Sequence, residues 1–353
     1  VRGSFEETQN VSVSCDSCSL LPDPTVFHYA KYKQPSLDVV LTKKRRLPTS
    51  CTCVSCGARR RSIPLTVPLK SLPSEQEVLS KQRNFDLRFK VKKCQEDLDI
   101  RLGFDLCAQE QDFICKRKKV VAATLKDLLQ LEEDLQADEV PVVAIMTTGG
   151  GTRALTAMYA HLLSVQELNV LDTVSYIAGL SGTTWTMSNL YEDPDWSQKD
   201  LKETLDDARK HVLKNKFFTC FAPDRLKYYL KELYQREQEG HQLCFTDLWG
   251  LIIETMLHEK EDSHKLSDQQ KALNQGQNPL PIYLSLNVKD KISDQDFREW
   301  VEFTPYEVGF PKYGVFIRAE DFGSEFFMGR LMKKIPESRI CFLEGDLLLW
   351  GNV

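Results

Sequence analysis

Apolar and polar residues alternate in one way before residue 140 and in another way after it. Upstream, Leu37–Leu41 and Ile63–Leu69 are short alternating runs, which predict strands and loops within residues 1–75, a stretch rich in Ser, Thr, Pro and Cys. Residues 76–119 are mixed, with an extended amphipathic stretch at Phe85–Lys92. A helix is predicted at Thr124–Ala137, where Leu125, Leu128, Leu129, Leu131 and Leu135 make one apolar face. Downstream, Val140–Met146 predicts a buried strand, Thr147–Gly151 a turn, and Arg153–Glu167 a helix burying Leu155, Met158, Tyr159, Leu162 and Leu163. The order then repeats: a short strand at Val174–Ile177, a turn at Gly179–Gly182, a helix at Thr183–Leu190. Strand–turn–helix twice in succession predicts an α/β fold, a central mixed sheet with flanking helices.

Further helices are predicted at Gln198–Asn215, Asp224–Glu237 and Thr246–His258, with Asp224 and Thr246 placed as N-caps. Glu259–Lys271 is charged and reads as an exposed loop. Pro281–Val288 predicts a strand and Trp300–Gly309 another extended stretch. There is no internal repeat.

Charge changes this picture little. The chain has 353 residues and a formal net charge of −5, which argues against a nucleic-acid partner. Basic runs at Lys43–Arg46, Arg59–Arg61 and Lys116–Lys119 read as solvated surface, with anionic lipid headgroups as the alternative partner. No apolar run approaches the roughly 20 residues that span a bilayer. Eleven cysteines without a secretion signal predict reduced thiols. Cys15-x-x-Cys18 and Cys53-x-x-Cys56 would suit a four-cysteine zinc site, but the 34 residues between the pairs exceed ribbon spacing, so no metal is assigned.

The chemistry concentrates at the two turns. Gly179-Leu180-Ser181-Gly182-Thr183 sets a serine at a predicted strand-to-helix reversal, and the glycines tolerate the strained backbone such a reversal needs. The turn holds the hydroxyl out at the sheet edge, where the next helix dipole favours a developing negative charge. The usual elbow has glycine two residues after the serine; here Thr183 stands there, and a plain turn is the bland alternative. Gly149-Gly150-Gly151 follows a predicted strand and opens a helix, so its N–H groups can approach an oxyanion. Alone it reads equally as a phosphate-binding or structural loop; it lacks the P-loop ending and the dinucleotide fingerprint. Arg153, two residues on, can fork onto a phosphate. His161 falls near the buried side of the helix and reads as packed or partly solvated. A His-dependent triad has no support, and a Ser–Asp dyad fits better.

Thr148-Gly149-Gly150-Gly151-Thr152-Arg153-Ala154 resembles the glycine-rich oxyanion loop of the cytosolic (group IV) phospholipases A2. Ala178–Trp185 resembles their nucleophile elbow, which itself lacks the distal glycine. Phe303–Gly309 and Phe322–Gly329 also resemble family segments, and the wording around Asp195-Trp196 and Gln277–Tyr283 resembles the delta, epsilon and zeta members most. The similarity runs from about residue 1 to about residue 342. It implies a patatin-like catalytic fold acting on glycerophospholipid at a membrane surface, with cytoplasmic location and peripheral association. It implies Ser181 as nucleophile, Gly150 and Gly151 as oxyanion donors, and Arg153 as the phosphate ligand. A downstream aspartate would activate the serine, and calcium would enter only through an N-terminal C2 domain.

Two departures are expected from that pattern. Residue 1 reads as lying just after the C2 domain, so that residues 1–75 are the segment following it, 76–343 the front of the catalytic domain, and 344–353 a divergent tail. No aspartate matches the catalytic one; Asp346 is the last in the chain. The expectation is a fragment with a sheet incomplete at its C-terminus, an exposed apolar edge, poor stability and little activity alone. A non-catalytic lipid- or protein-binding isoform is the alternative.

Overall fold

The computed structural model describes residues 1–6, 8–9, 25–41, 63–70, 72–82, 85–94, 97–258, 261–287 and 298–349. They fall into two compact units, Val1–Asp97 and Leu98–Val353. In the first unit, β1 (Ser36–Leu41) pairs antiparallel with β2 (Ile63–Pro68), Ser36 opposite Pro68 and Leu41 opposite Ile63. A second antiparallel pair joins β3 (Glu77–Gln82) to β4 (Phe85–Lys90). The alternating runs thus form strands as predicted. Asp38 ties β1 to its surroundings, accepting from Thr66 at 2.7 Å and pairing with Arg2 at 2.8 Å. Both CxxC pairs and the basic runs 43–46 and 59–61 lie outside the described residues.

The second unit is built on one mixed sheet. Its early elements are β5 (Arg101–Leu102), α1 (Ala108–Leu129), β6 (Val143–Met146), α2 (Thr152–Glu167), β7 (Val174–Leu180) and α3 (Gly182–Leu190). Helices α4 (Leu201–Leu213), α5 (Lys216–Cys220), α6 (Pro223–Gln238) and α7 (Phe245–Leu257) follow. The chain then returns through β8 (Leu280–Asn287), β9 (Glu299–Phe303), β10 (Glu307–Phe310) and β11 (Val315–Arg318). A small pair, β12 (Glu325–Phe327) and β13 (Arg330–Lys333), precedes α8 (Ile340–Leu349). Spatial order in the sheet is β5-β11-β10-β9-β8-β7-β6. Strands β6, β7 and β8 run parallel, and the others pair antiparallel.

Strand β7 lies between two partners and is buried along most of its length, including Ser175 and Ile177. Strand β6 pairs only with β7 among the described residues, so Val143 and Met146 are exposed and the predicted burial of Val140–Met146 holds for Val140 but not for the strand itself. Helix α2 buries Leu155, Met158, Tyr159 and Leu162 as its 3.6-residue period predicts, while Leu163 is half-buried.

The predicted helix at Thr124–Ala137 is displaced. Helix α1 starts at Ala108 and stops at Leu129, with Gln130 in the left-handed conformation at its end (φ 53°). Its buried seam is Phe113, Arg117 and Val121 at four-residue spacing, whereas Leu128 and Leu129 are exposed. Arg117 belongs to a run expected at the surface, yet it is fully buried. Its guanidinium donates to the carbonyls of Val174 (2.9 Å), Gly276 (2.9 Å), Gln277 (3.0 Å) and Leu171 (3.4 Å). One side chain thereby satisfies main-chain acceptors at the starts of both β7 and β8.

Helix starts also differ in detail. Asp200 caps α4, accepting from the Lys202 N–H at 2.8 Å. Asp224 sits in the first turn of α6 rather than at its cap, which is Ala222, with Pro223 as the first helical residue. Cys244, not Thr246, caps α7, its N–H donating to Asp247 at 2.7 Å in a reciprocal capping box. The predicted loop at Glu259–Lys271 contains a 3-10 turn, Ser267–Ala272, with Gln269 buried.

Helix α8 crosses the expected boundary at residue 343. A Cβ at Gly345 would stand 2.3 Å from the Thr246 carbonyl oxygen, and one at Gly250 2.3 Å from that of Cys341, so α7 and α8 meet backbone to backbone. Asp346 accepts from the Thr246 hydroxyl at 2.5 Å. Glu344 points into the protein interior, where it accepts from the Ser188 hydroxyl on α3. Burial, and after it the nearby carboxylates of Asp262, Glu254 and Glu192, push its pKa up to about 8, offset in part by Ser188.

Arg117→Met should leave several buried carbonyls without a donor. It should cost about 3 kcal/mol or more, seen as a lower urea midpoint at unchanged slope; an unchanged midpoint would make the guanidinium dispensable. Glu344 gives a pH signature. The unfolded carboxyl ionises near its ordinary 4.5, while the folded one keeps its proton to about 8. Its contribution is therefore full below about 4.5 and is lost as pH rises through about 8. Melting temperatures across that window should fall more steeply in the parent chain than in Glu344→Gln.

Candidate active site

The two glycine bends stand side by side at the ends of β6 and β7. The Thr147 N–H and hydroxyl both donate to the Ala178 carbonyl, at 2.9 and 2.8 Å, and fix the exit of β6 to that of β7. Beyond this clasp each chain enters a helix through the same unusual conformation: Gly151 has φ 58°, ψ −136°, and Ser181 has φ 57°, ψ −124°. Glycine reaches that region freely; a serine held there stores on the order of 1–3 kcal/mol of strain.

Their separation is set by missing side chains. A Cβ on Gly149 would lie 2.9 Å from Ser181 Cβ and 3.4 Å from its Oγ, so the triple-glycine bend passes directly over the serine. A Cβ on Gly182 would collide with the Gly151 carbonyl oxygen at 2.1 Å. On the inner side, one on Gly179 would meet Met187 Sδ at 2.4 Å, which brings α3 down onto β7. Thr183, in the place where an elbow usually has glycine, holds the turn with its hydroxyl. That oxygen accepts from the Leu180 N–H at 2.9 Å and donates to the Leu180 carbonyl at 3.0 Å. Thr184 adds a hydroxyl bond to the Ser181 carbonyl at 2.5 Å. Neither threonine role was predicted, although two hydroxyl residues following a helix cap are a recognisable local signal.

The Ser181 side chain is half-exposed, and its hydroxyl has no hydrogen-bond partner among the described residues. The N–H groups of Gly150 and Gly151 likewise donate to no described residue. Arg153 is exposed in the first turn of α2 and forms no ion pair with a described residue. The N-termini of α2 and α3 thus start side by side at the Gly149–Gly151 bend and Ser181, an environment that favours negative charge.

No base accompanies them among the described residues. His161 is exposed on α2 rather than packed. His258 and His264 lie near Glu192, beyond the far end of α3, roughly 13 Å of helix from Ser181. Asp346 is held by Thr246, as described above. Two cavities lie elsewhere. One of about 410 Å³ is lined by Asn189, Glu192 and Lys199, and one of about 130 Å³ by Glu110, Glu302 and Glu307. The described cysteines, Cys94, Cys107, Cys115, Cys220, Cys244 and Cys341, are all free thiols. Among the described residues no helix is long and apolar enough to cross a membrane.

Comparison with known proteins agrees with this geometry. A family model described as the lysophospholipase catalytic domain matches residues 143–347, running into the segment expected to diverge. A second, the cytosolic phospholipases A2 C2-domain, matches residues 1–92. It covers the stretch that the sequence places after such a domain, and the two assign those residues differently. Human cytosolic phospholipase A2 epsilon is 52% identical over all of this chain and 40% of its own length. The human delta protein is 48% identical over all of this chain and 42% of its own. The solved structure of human GIVD cytosolic phospholipase A2 superposes with a TM-score of 0.86 at 48% identity, covering 98% of this chain and 45% of that one. The same protein has been solved in complex with methyl gamma-linolenyl fluorophosphonate. The chain thus spans about two fifths of the length of the relatives it matches. With a mixed seven-stranded sheet, two apposed glycine bends and these matches, the chain belongs to the cytosolic phospholipase A2 family.

Proposed function

We propose that this chain carries the nucleophile half of a phospholipase A2-type acyl hydrolase acting on membrane glycerophospholipids. The observation that supports it best is the placement of Ser181 directly under the Gly149–Gly151 bend, at the N-terminus of α3. In this reading the Ser181 hydroxyl attacks the acyl carbonyl. The Gly150 and Gly151 N–H groups receive the oxyanion, and Arg153 binds the headgroup phosphate. The serine proton has to go to a carboxylate in a Ser–Asp dyad. No described carboxylate reaches Ser181, so this chain is expected to acylate slowly and turn over poorly by itself. That same observation favours the second reading, a non-catalytic lipid- or protein-binding form. The protein would act in the cytoplasm, recruited peripherally to membranes. The C2-type match suggests calcium-dependent docking, but among the described residues of 1–92 no three ligating side chains converge, so calcium enters no step proposed here.

An alkyl fluorophosphonate should label Ser181, and Ser181→Ala should abolish the label. Equal labelling of the variant would remove the nucleophile assignment. Gly182→Ala should force the two bends apart and slow labelling by about 100-fold, since misplacement near 1 Å commonly has that effect. If the bends only shape the fold, labelling would survive in step with stability.

Arg153→Ala should act on the headgroup alone. Labelling by a neutral alkyl fluorophosphonate should stay within a few-fold, whereas an analogue bearing a phosphate diester should lose about tenfold or more in affinity. Equal effects on both reagents would exclude the phosphate role.

A further inference from the structure

The end of α3 opposite Ser181 carries a second cluster, which the proposed acyl chemistry does not use. Glu192 lies just past the C-cap of α3, and His258 is the C-cap of α7. Asp262 and His264 lie in the segment that follows. Nδ1 of His258 is 3.6 Å and Nδ1 of His264 3.7 Å from the same Glu192 carboxylate oxygen, and Asp262 is 2.6 Å from His264 Nδ1.

We propose that Glu192, Asp262 and His264, whose ligand atoms lie within 4.8 Å of one another, form the core of a binding site for a borderline transition-metal dication, Zn²⁺ being the best fit, with His258, placed against Glu192, moving in as the fourth ligand. Zinc bonds to nitrogen and oxygen of about 2.0–2.1 Å place tetrahedral neighbours roughly 3.3–3.4 Å apart. Two of the observed separations are already within a few tenths of that, and the third widens by less than 1 Å when the His264–Asp262 hydrogen bond gives way to the metal. Two imidazoles with two carboxylates is a donor set suited to zinc and neutral overall once it binds.

Supporting contacts hold the ligands. The Asp262 N–H donates to Glu254 at 2.9 Å, and its carbonyl accepts from Arg339 at 2.9 Å. The Gln269 carbonyl oxygen accepts from the Tyr283 hydroxyl at 2.9 Å and its amide nitrogen lies 3.4 Å from His264 Nε2, so the amide must turn over to accept from the Nε2–H that a metal on Nδ1 leaves. Such outer contacts orient a ligating imidazole. The site also lies between two helix C-termini, α3 and α7, whose dipoles favour a cation. Glu192 lines the 410 Å³ cavity and so provides an entry path. A bound ion would pin α3 to the segment following α7.

The test is titration of chelator-treated protein with Co²⁺, followed by ligand-field absorption, with Zn²⁺ as competitor. One equivalent should bind with bands free of thiolate charge transfer, and Zn²⁺ should raise the melting temperature. His258→Ala/His264→Ala should abolish both effects. Because that variant could fail to fold, Glu192→Gln, at an exposed position, should keep its fold and weaken affinity tenfold or more. Thiolate bands would place the metal on cysteines and overturn the proposal. So would absent binding, Zn²⁺ stabilisation that survives the double variant, or unchanged affinity in Glu192→Gln.

Discussion

The contact between Gly182 and the Gly151 carbonyl is one that only a hydrogen in place of a side chain permits, and the arrangement of the catalytic-type unit follows from it. Because those backbones touch, α2 and α3 start side by side, and β6 and β7 end level with one another. Ser181 is then forced into the gap under Gly149 in a conformation that serines rarely adopt. Thr147, Thr183 and Thr184 secure the strained turn through hydroxyl bonds to main-chain groups. The strain is local, and the elements that oppose it, a buried parallel strand and a helix packed on it, are large.

Buried polar groups brace this arrangement from two other directions. Arg117 gathers carbonyls at the entrances of β7 and β8, the opposite end of the sheet from the bends. Glu344 meets Ser188 on the flank of α3 and forms no ion pair with a described residue, which accords with a carboxyl that holds its proton until about pH 8. Both are polar groups in an apolar setting, and each is tolerable because its hydrogen bonds are made within the protein.

What could be foreseen from residue order was whatever local geometry dictates. Leu155, Met158, Tyr159 and Leu162 announce their helix by spacing, and the two bends announce themselves because strained or crowded backbone calls for glycine. Helix α1 was misplaced because its seam runs through Arg117; a guanidinium counts as polar until the carbonyls that absorb it are known, and those come from distant segments. The rim position of β6 could not be foreseen either, since Val140–Met146 is as apolar as a central strand and neighbours across a sheet leave no local mark. Cys244 caps α7 through a reciprocal bond with Asp247, a role that thiols rarely take and composition does not suggest. Glu192 and His264 are far apart in the chain, so their meeting emerges only from the fold. The chemical roles of Ser181, Gly150, Gly151 and Arg153 rest on position and stand as the proposal above.

The paired starts of α2 and α3 have a further consequence. Their positive ends converge on one small volume, so that volume attracts any anion, whether it arises fleetingly or arrives ready-made. An ester cleaved at this spot would yield a carboxylate, which would have to depart against the same field that helped the bond to break. A lipid phase able to absorb that acid would act as a sink as well as a source.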